Sequence, residues 1–246
     1  MKVFNDQDWE FTKDSSLCIL TGAGISAESG VKTFRDSGGL WEGHSIEDVA
    51  TPEGFDRNPS LVIDFYNQRR AQLKEVEPNP AHTALASLEK ALGARFTLIT
   101  QNVDDLHEAG GSSSPIHMHG ELKKLRCLGE GSHVIPFSGK QDQEATRCPN
   151  CSSPMRPHIV WFGEIPFQMD LIESRVIACS HFVFIGTSSV VYPAAGYKRL
   201  AKTNGAKVLN INVGIDTTDS DTDFFLQGPA GKTLPPWVEE LMSSMT

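Results

Sequence analysis

The stretch LTGAGISAESGVKTFRDSGGLW, residues 20–41, begins with the pattern of a phosphate-binding loop. The apolar residues 17–20 predict a strand, and Gly22 and Gly24 follow it in a GxGxxA pattern, with a helix expected from Ser26. Glycines at these positions let the backbone approach a pyrophosphate, whose charge then meets the amide groups at the helix start. The sequence therefore predicts a dinucleotide site.

The rest of the stretch departs from the pattern of a plain dehydrogenase. In an ordinary cofactor domain the helix returns to a second strand, which ends in a ribose-binding acid about 20 residues on. Residues 29–39 are instead a polar run rich in Gly and Ser. We expect a loop over the phosphates, with an NAD-dependent oxidoreductase as the alternative that the glycine pattern alone would allow.

Composition limits the classes of partner. The 246 residues carry a net charge of −9, with a pI near 5.3, which argues against general binding to nucleic acid or anionic membranes. The longest apolar runs, such as residues 182–185, are too short to span a bilayer. The N-terminal MKVFNDQDWE lacks the apolar segment of a signal peptide. We expect a cytoplasmic protein with no nucleic-acid or membrane partner.

Hydrophobic periodicity predicts an α/β fold. Apolar runs bounded by turn residues predict strands at residues 17–21, 96–100, 182–186 and 207–213. Helical patterns cover residues 59–75, 80–92, 103–109, 168–178, 193–203 and 234–242. This alternation predicts a Rossmann-like parallel sheet with helices on both faces.

Two segments interrupt the alternation and predict a second, smaller domain. Residues 31–75 show loop and helix but no convincing strand, and residues 123–161 carry three cysteines among Gly, Ser and Pro. We expect these two segments to pack together beside the sheet. The large domain is then expected to consist of residues 1–30, 76–122 and 162–246.

Polar residues follow the second predicted strand, in the segment TQNVDDLH at residues 100–107. Side chains at the carboxyl end of a parallel strand face the ligand crevice. Helix capping by Asn102 is the structural alternative. In that alternative the two aspartates would favour the helix dipole. It does not explain the whole set of Gln101, Asn102 and Asp104, so we favour a ligand site.

The segment HMHG at residues 117–120 contains a candidate general base, because histidine is the side chain best suited to move a proton near neutral pH. Histidines two residues apart face the same side of an extended segment, so metal binding by His117 and His119 is an alternative. No third ligand of that kind lies nearby in the sequence, and Gly120 suggests close backbone approach. We favour a catalytic base.

The five cysteines fall into two groups. Cys18 and Cys179 lie in apolar runs and are predicted to be buried free thiols. The other three lie in polar, turn-rich sequence and match part of a zinc ribbon: Cys127, Cys148 and Cys151. Glu130 stands where CxxC spacing would place a fourth cysteine. A structural Zn²⁺ site and a lost one both stay open.

Taken in order, these motifs resemble those of the sirtuins, which are NAD-dependent protein-lysine deacylases. The resemblance runs from Gly22 to Gly231. It rests on GAGISAESGV, TFR and GGLW within residues 22–41, PN.AH at 78–82, TQNVD.LH at 100–107, HMHG at 117–120, RPHIVWFGE at 156–164, GTSS at 186–189, NIN at 210–212 and GPA at 228–230. It implies a Rossmann-type large domain, a small domain with a zinc ribbon and helices, and a cleft between them for NAD and an acyl-lysine peptide.

The resemblance also implies an activity and its catalytic residues. Acyl groups would be removed from protein lysines, giving nicotinamide, O-acyl-ADP-ribose and free lysine. His119 would be the general base on a ribose hydroxyl, and Ser26, Asn102 and Asp104 would form the nicotinamide pocket. A sirtuin-like ADP-ribosyltransferase and a non-catalytic NAD-binding module are the alternatives within this resemblance.

The cofactor site implied by the resemblance draws on several distant segments. Its residues are Gly22, Ala23, Gly24, Ile25, Ser26, Thr33, Phe34, Arg35, Trp41, Gln101, Asn102, Val103, Asp104, Gly186, Thr187, Ser188, Asn210, Ile211, Asn212 and Ala230. Gln101 would contact the ribose, and residues from position 186 onward would hold the phosphates and the adenosine half.

Tyr66 and Arg69 in the segment FYNQR lie three residues apart, on one side of a predicted helix. A solvated arginine is the structural alternative. The pair resembles the signature of class III sirtuins, which accept succinyl and malonyl groups, and a guanidinium with a phenol hydroxyl suits a carboxylate. Ala50 falls where that class keeps a small residue. The peptide-binding residues implied by the resemblance are Val160, Phe162 and Gly163.

Overall fold

The apolar runs of the sequence form the strands of the main sheet. The computed structural model describes residues 2–4, 6–31, 40–41, 43–187, 192–214 and 218–245. Its strands are β1 (Lys2–Val3), β2 (Leu17–Thr21), β3 (Leu40–Trp41), β4 (His44–Ser45), β5 (Phe96–Thr100), β6 (Ile116–His117), β7 (Gly120–Cys127), β8 (Val134–Pro136), β9 (Met155–Ile159), β10 (His181–Ile185), β11 (Lys207–Asn212) and β12 (Phe224–Gln227). Its α-helices are α1 (Asp6–Trp9), α2 (Ile46–Val49), α3 (Pro52–Arg57), α4 (Pro59–Gln72), α5 (Pro80–Leu92), α6 (Leu106–Ala109), α7 (Met169–Ala178), α8 (Tyr197–Thr203) and α9 (Ala230–Ser243).

The main sheet has seven parallel strands in the order β1-β12-β11-β10-β2-β5-β6. The chain runs from β2 outward to β5 and β6, and then returns to β10 on the opposite side of β2. The strand order therefore reverses between β2 and β10. Open parallel sheets bind ligands at such a reversal, outside the carboxyl ends of the strands.

Both faces of this sheet are covered by helices, so its central strands are buried on both sides. Leu17 and Ile19 of β2 join the core formed with α5 and α9, whereas Cys18 and Leu20 join the core formed with α7 and α8. This alternation follows from the two-residue period of a strand. The predicted α/β class with a parallel sheet is confirmed.

A second, antiparallel sheet in the order β8-β7-β9 lies within residues 120–159. Helices α2 and α4 pack against it through a separate core: Val49, Ala50, Val62, Phe65, Tyr66, Leu122, Ile159 and Trp161. The two segments that interrupt the alternation thus contact each other. The domain boundaries themselves stay predictions.

Several predicted boundaries differ from the structure. Residues 31–75 contain two strands of two residues each, β3 and β4, which pair with each other. Ser26 does not start an α-helix: residues 23–25 and 27–29 form 3₁₀ turns. The helix predicted at residues 103–109 begins only at Leu106, because Asp104 Oδ1 accepts a hydrogen bond from the Leu106 amide and holds the preceding residues in a turn.

Candidate active site

The glycine loop lies at the strand reversal, where β2 and β10 end side by side. The amide of Gly22 donates to the carbonyl oxygen of Ile185 at 2.9 Å, and that of Gly24 to Gly186 at 2.8 Å. A Cβ atom built on Gly24 would lie 2.7 Å from the Cα of Gly186. Only glycine fits this approach, so the loops after β2 and β10 pack backbone against backbone and form a glycine cradle at the strand reversal.

Asn79 holds the glycine loop from the start of α5. Its Nδ2 donates to the carbonyl oxygen of Ile25 at 2.7 Å, and its Oδ1 accepts from the Ala81 amide at 2.9 Å. The same side chain therefore caps a helix and fixes the loop. Sequence reasoning gave Asn79 no role, although the PN.AH motif contains it.

Ser26, Asn102 and Asp104 come together as predicted. Asn102 Nδ2 donates to Ser26 Oγ at 3.1 Å, and all three side chains are buried. Burial raises the pKa of the Asp104 carboxyl above its usual 3.8, although hydrogen bonds from the Leu106 amide and from Ser26 oppose it. The group is a small polar recess beside the glycine loop.

His119 is held by the segment after β5. Its Nδ1 lies 3.1 Å from the carbonyl oxygen of Gln101, which can only accept, so Nδ1 carries the proton. Burial lowers the pKa of His119 below its usual 6.5, and the hydrogen bond to Gln101 offsets part of this. A neutral ring with Nδ1 protonated leaves Nε2 as the acceptor.

The residues predicted for the phosphates and the adenosine half lie at the ends of β10 and β11. Gln101 Nε2 donates to Thr187 Oγ1 at 3.1 Å, and Asn212 Nδ2 donates to the Thr187 carbonyl oxygen at 2.8 Å. Asn210 is buried, and among the described residues its Oδ1 has no hydrogen-bond partner. A buried amide oxygen of this kind is expected to find a donor in a ligand or in water.

Not every residue predicted for the cofactor presents a side chain to it. Ile25 and Ile211 lie in the core beneath α5 and α9, so only their backbone can face the crevice. Ala230 is buried in the same core, and Ala23 is half-buried between the two glycines. Val103 is partly buried against the core shared by α2 and α4.

Five predicted positions cannot be placed in full. Thr33, Phe34, Arg35 and Ser188 lie outside the described residues, and for Trp41 only the backbone, paired with His44, is described.

The segment of residues 160–163 connects His119 to the core formed with α2 and α4. The Val160 amide donates to the His119 carbonyl oxygen, and the Phe162 amide donates to that of Ala50, each at 2.9 Å. Gly163 has φ +92°, and the side chain of Phe162 is 49% exposed. Residues 160–163, predicted to bind the peptide, are therefore tied by their backbone to His119 at one end and to Ala50 at the other.

Tyr66 and Arg69 are buried rather than solvated, with 0% and 7% exposure, so the solvated-arginine alternative is wrong. Arg69 Nη1 donates to Gln72 Oε1 at 3.0 Å. Tyr66 shares a core with Ala50 and with Trp161, whose Nε1 donates to the Tyr66 hydroxyl at 3.0 Å. Trp161 was not among the predicted site residues, although it lies inside the RPHIVWFGE motif.

A second cluster has the composition of a structural zinc site. Ligand atoms of four residues lie within 4.8 Å of one another: Cys127, His133, Cys148 and Cys151. Hydrogen bonds from Ser153 lower the pKa of Cys151 to about 6, which favours the thiolate that a metal requires. Three sulfurs and one imidazole nitrogen fit tetrahedral zinc.

The fourth donor of this cluster is His133, whereas Glu130 is not part of it. Sequence reasoning considered only a cysteine position three residues after Cys127 and missed a histidine three residues further on.

The second group of metal-type ligands in the described chain is Glu108, His117 and Glu121, without His119. His117 Nε2 contacts Glu108 at 2.8 Å and Lys124 contacts Glu121 at 2.6 Å, so this group is arranged as ion pairs.

No helix in the described part of the chain is long and apolar enough to cross a membrane.

Comparison with known proteins gives concordant matches. A family model described as "Sir2 family" matches residues 22–193. An "NAD-dependent protein deacylase" of Vibrio cholerae serotype O1 is 50% identical over 230 residues, covering 93% of this chain and 94% of the relative.

Solved structures agree with the sequence matches. A crystal structure of a Sir2 homolog–NAD complex is similar with a TM-score of 0.88 and 34% identity, over 100% of this chain and 96% of that one. A Sir2–p53 peptide–NAD⁺ structure is similar with a TM-score of 0.75 and 27% identity, over 94% and 93%.

Proposed function

Because the chain belongs to the Sir2 family, we propose that it removes succinyl and malonyl groups, as well as acetyl groups, from protein lysines. The activity itself is NAD-dependent protein deacylation, the activity named in its close relatives. The same relatives favour deacylation over the oxidoreductase and ADP-ribosyltransferase alternatives.

NAD fits the residues at the strand reversal. Gly22, Gly24 and Gly186 form the glycine cradle, in which any Cβ atom would collide with the facing loop, and Asn210 of β11 offers a buried acceptor. When bound, NAD supplies a glycosidic bond to nicotinamide and a sugar carbon that the acyl oxygen can attack. The cradle would bring bare backbone close to the phosphates, while the amides of Gly22 and Gly24 stay hydrogen-bonded to the loop after β10.

His119 is proposed as the general base. Its neutral ring presents Nε2 as a proton acceptor, because Nδ1 is engaged by the Gln101 carbonyl oxygen. A base with a pKa below neutral is unprotonated at working pH. His119 therefore can take the proton of a sugar hydroxyl without first losing one of its own.

The recess of Ser26, Asn102 and Asp104 is proposed to hold the amide end of the cofactor. Its side chains offer both donors and acceptors, and their burial excludes water. A carboxyl whose pKa is raised by burial also retains a proton to higher pH and can then donate. Excluding water favours capture of the sugar by the acyl oxygen over hydrolysis.

Tyr66 and Arg69 are proposed to form the carboxylate clamp, the name used below for this pair. The observation that carries the proposal is the burial of both side chains three residues apart on α4, with Tyr66 in the core that contains Ala50. A guanidinium and a phenol hydroxyl can hold the terminal carboxylate of an acyl group through charge-assisted hydrogen bonds. The small side chain of Ala50 leaves room for a longer acyl group.

The test compares acyl groups on one peptide sequence. Arg69→Met is expected to lower kcat/KM for succinyl-lysine peptide by about 10- to 100-fold relative to acetyl-lysine peptide, since a charge-assisted hydrogen bond is lost. Mass spectrometry of the peptides gives both rates. Arg57→Met is the matched control, because Arg57 lies exposed on α3 of the same small domain. Equal losses on both peptides would remove the clamp.

The protein partner is proposed to bind as an extended acylated segment along residues 160–163. This path presents backbone groups and the exposed ring of Phe162. A solved relative binds a p53 peptide, as its description states. Because backbone contacts carry little sequence information, the clamp rather than the peptide sequence is expected to discriminate among substrates.

A further inference from the structure

The clamp tyrosine receives a hydrogen bond from a tryptophan. Trp161 is 2% exposed, and its Nε1 lies 3.0 Å from the Tyr66 hydroxyl. An indole N–H can only donate, so the phenol oxygen is the acceptor in this contact. The O–H bond of Tyr66 must then point away from Trp161.

Burial keeps this phenol neutral. It raises the pKa of Tyr66 well above its usual 10, although the hydrogen bond from Trp161 and the charges of Arg156 and Arg69 oppose it. A neutral phenol that already accepts one hydrogen bond interacts best with an acceptor on its other side. Among acyl groups, a terminal carboxylate supplies a strong acceptor and an acetyl methyl supplies none.

Trp161 is itself held from both sides. The Arg156 guanidinium lies 3.6 Å from the centre of its ring, a cation–π contact. Glu164 Oε2 accepts from the Trp161 amide at 2.8 Å and from Arg156 at 2.6 Å, while Oε1 accepts from Arg126 at 2.6 Å. The indole therefore has a fixed orientation before any substrate arrives.

We propose that Trp161 is a positioning residue for acyl specificity, which orients the Tyr66 hydroxyl as a donor toward carboxylate-bearing acyl groups. This inference rests on the proposed clamp. It adds Trp161, which donates to the oxygen of the Tyr66 hydroxyl and so leaves the O–H bond pointing away from the indole. A purely structural tryptophan would fill space beside Tyr66 and Phe55 without affecting one acyl group more than another.

The test removes the N–H donor and measures a ratio. Trp161→Phe is expected to lower the ratio of desuccinylation to deacetylation, each as kcat/KM, by about 3- to 10-fold, the value of one neutral hydrogen bond. The loss should appear mainly in KM for the succinyl peptide. Replacement of Trp161 by benzothienylalanine keeps the shape of the side chain and removes only the N–H. This variant should change the ratio by the same amount, and it provides the test if Trp161→Phe perturbs folding.

A double-mutant cycle distinguishes positioning from packing. In a Tyr66→Phe background, removing the Trp161 N–H should change the ratio by less than about 2-fold, because its acceptor is gone. An unchanged ratio in the wild-type background, or the same drop in both backgrounds, would overturn the inference. If Tyr66→Phe by itself leaves the ratio unaltered, the clamp is wrong and the inference is overturned with it. If Tyr66→Phe lowers the ratio and Trp161 variants do not, only the inference is lost.

Discussion

The carbonyl oxygen of Gln101 accepts a hydrogen bond from Nδ1 of His119 at 3.1 Å, and this contact decides which ring nitrogen is basic. Gln101 itself follows β5, so the backbone at the end of a central strand fixes the tautomer of the His119 ring. The tautomer is thereby tied to a buried strand of the main sheet. A side-chain partner could rotate away, whereas this carbonyl cannot move without disturbing the sheet.

The pH profile should report the environment of His119. Because burial lowers its pKa and only the neutral ring accepts a proton, kcat/KM should fall as pH decreases through a midpoint below 6.5. Steady-state rates from about pH 5 to pH 8 measure that midpoint. His119→Ala should lower kcat/KM by about 10²- to 10⁴-fold and abolish this limb of the profile. A midpoint above 6.5, or near wild-type activity in His119→Ala, would contradict the assignment.

Gly24→Ala should disrupt the cofactor cradle. Its Cβ would lie 2.7 Å from the Cα of Gly186, so the loops after β2 and β10 must separate. We expect a loss of stability of about 1–3 kcal/mol and weaker NAD binding, measured by thermal denaturation and calorimetry. Gly139→Ala is the control, because its Cβ would meet Phe137 at an ordinary 3.7 Å and should change stability by less than about 0.5 kcal/mol. Equal effects of the two substitutions would disprove the steric explanation.

Zinc content should depend on His133. In His133→Ala the bound metal, measured by plasma mass spectrometry, should fall from about one zinc per chain to well below one, with a lower melting temperature. Glu130→Ala should retain the metal, since Glu130 lies outside the cluster. Full zinc occupancy in the His133 variant would show that three thiolates suffice.

The pair of His117 and Glu108 should make stability depend on pH. Burial acts to lower the pKa of His117, but the hydrogen bond and charge of Glu108 outweigh it and raise the pKa above 6.5. The pair's stabilisation is thus fully present below the unfolded-state pKa and lost as pH rises through the folded-state pKa. Glu108→Gln should destabilise the protein more near pH 5.5 than near pH 8.5, as measured by urea denaturation. The same destabilisation at both pH values would show that the ion pair contributes nothing.

The sequence by itself determined the parallel sheet and indicated the candidate site residues. Strands such as Leu17–Thr21 and Phe96–Thr100 are continuous apolar runs, and these are legible because burial on both faces selects them locally. Glycines before a crevice and polar residues after a strand are equally local signals, so Gly24, Asn102 and His119 could be named in advance.

Only the tertiary structure decided which distant residues meet. Trp161 contacts Tyr66 across 95 positions of sequence, Asn79 reaches Ile25 across 54, and His133 completes a cluster of cysteines on both sides of it. Such contacts depend on how two insertions fold back on each other and on the register of β7 against β9. No local pattern encodes them, because each side chain alone has an ordinary structural role in its own segment.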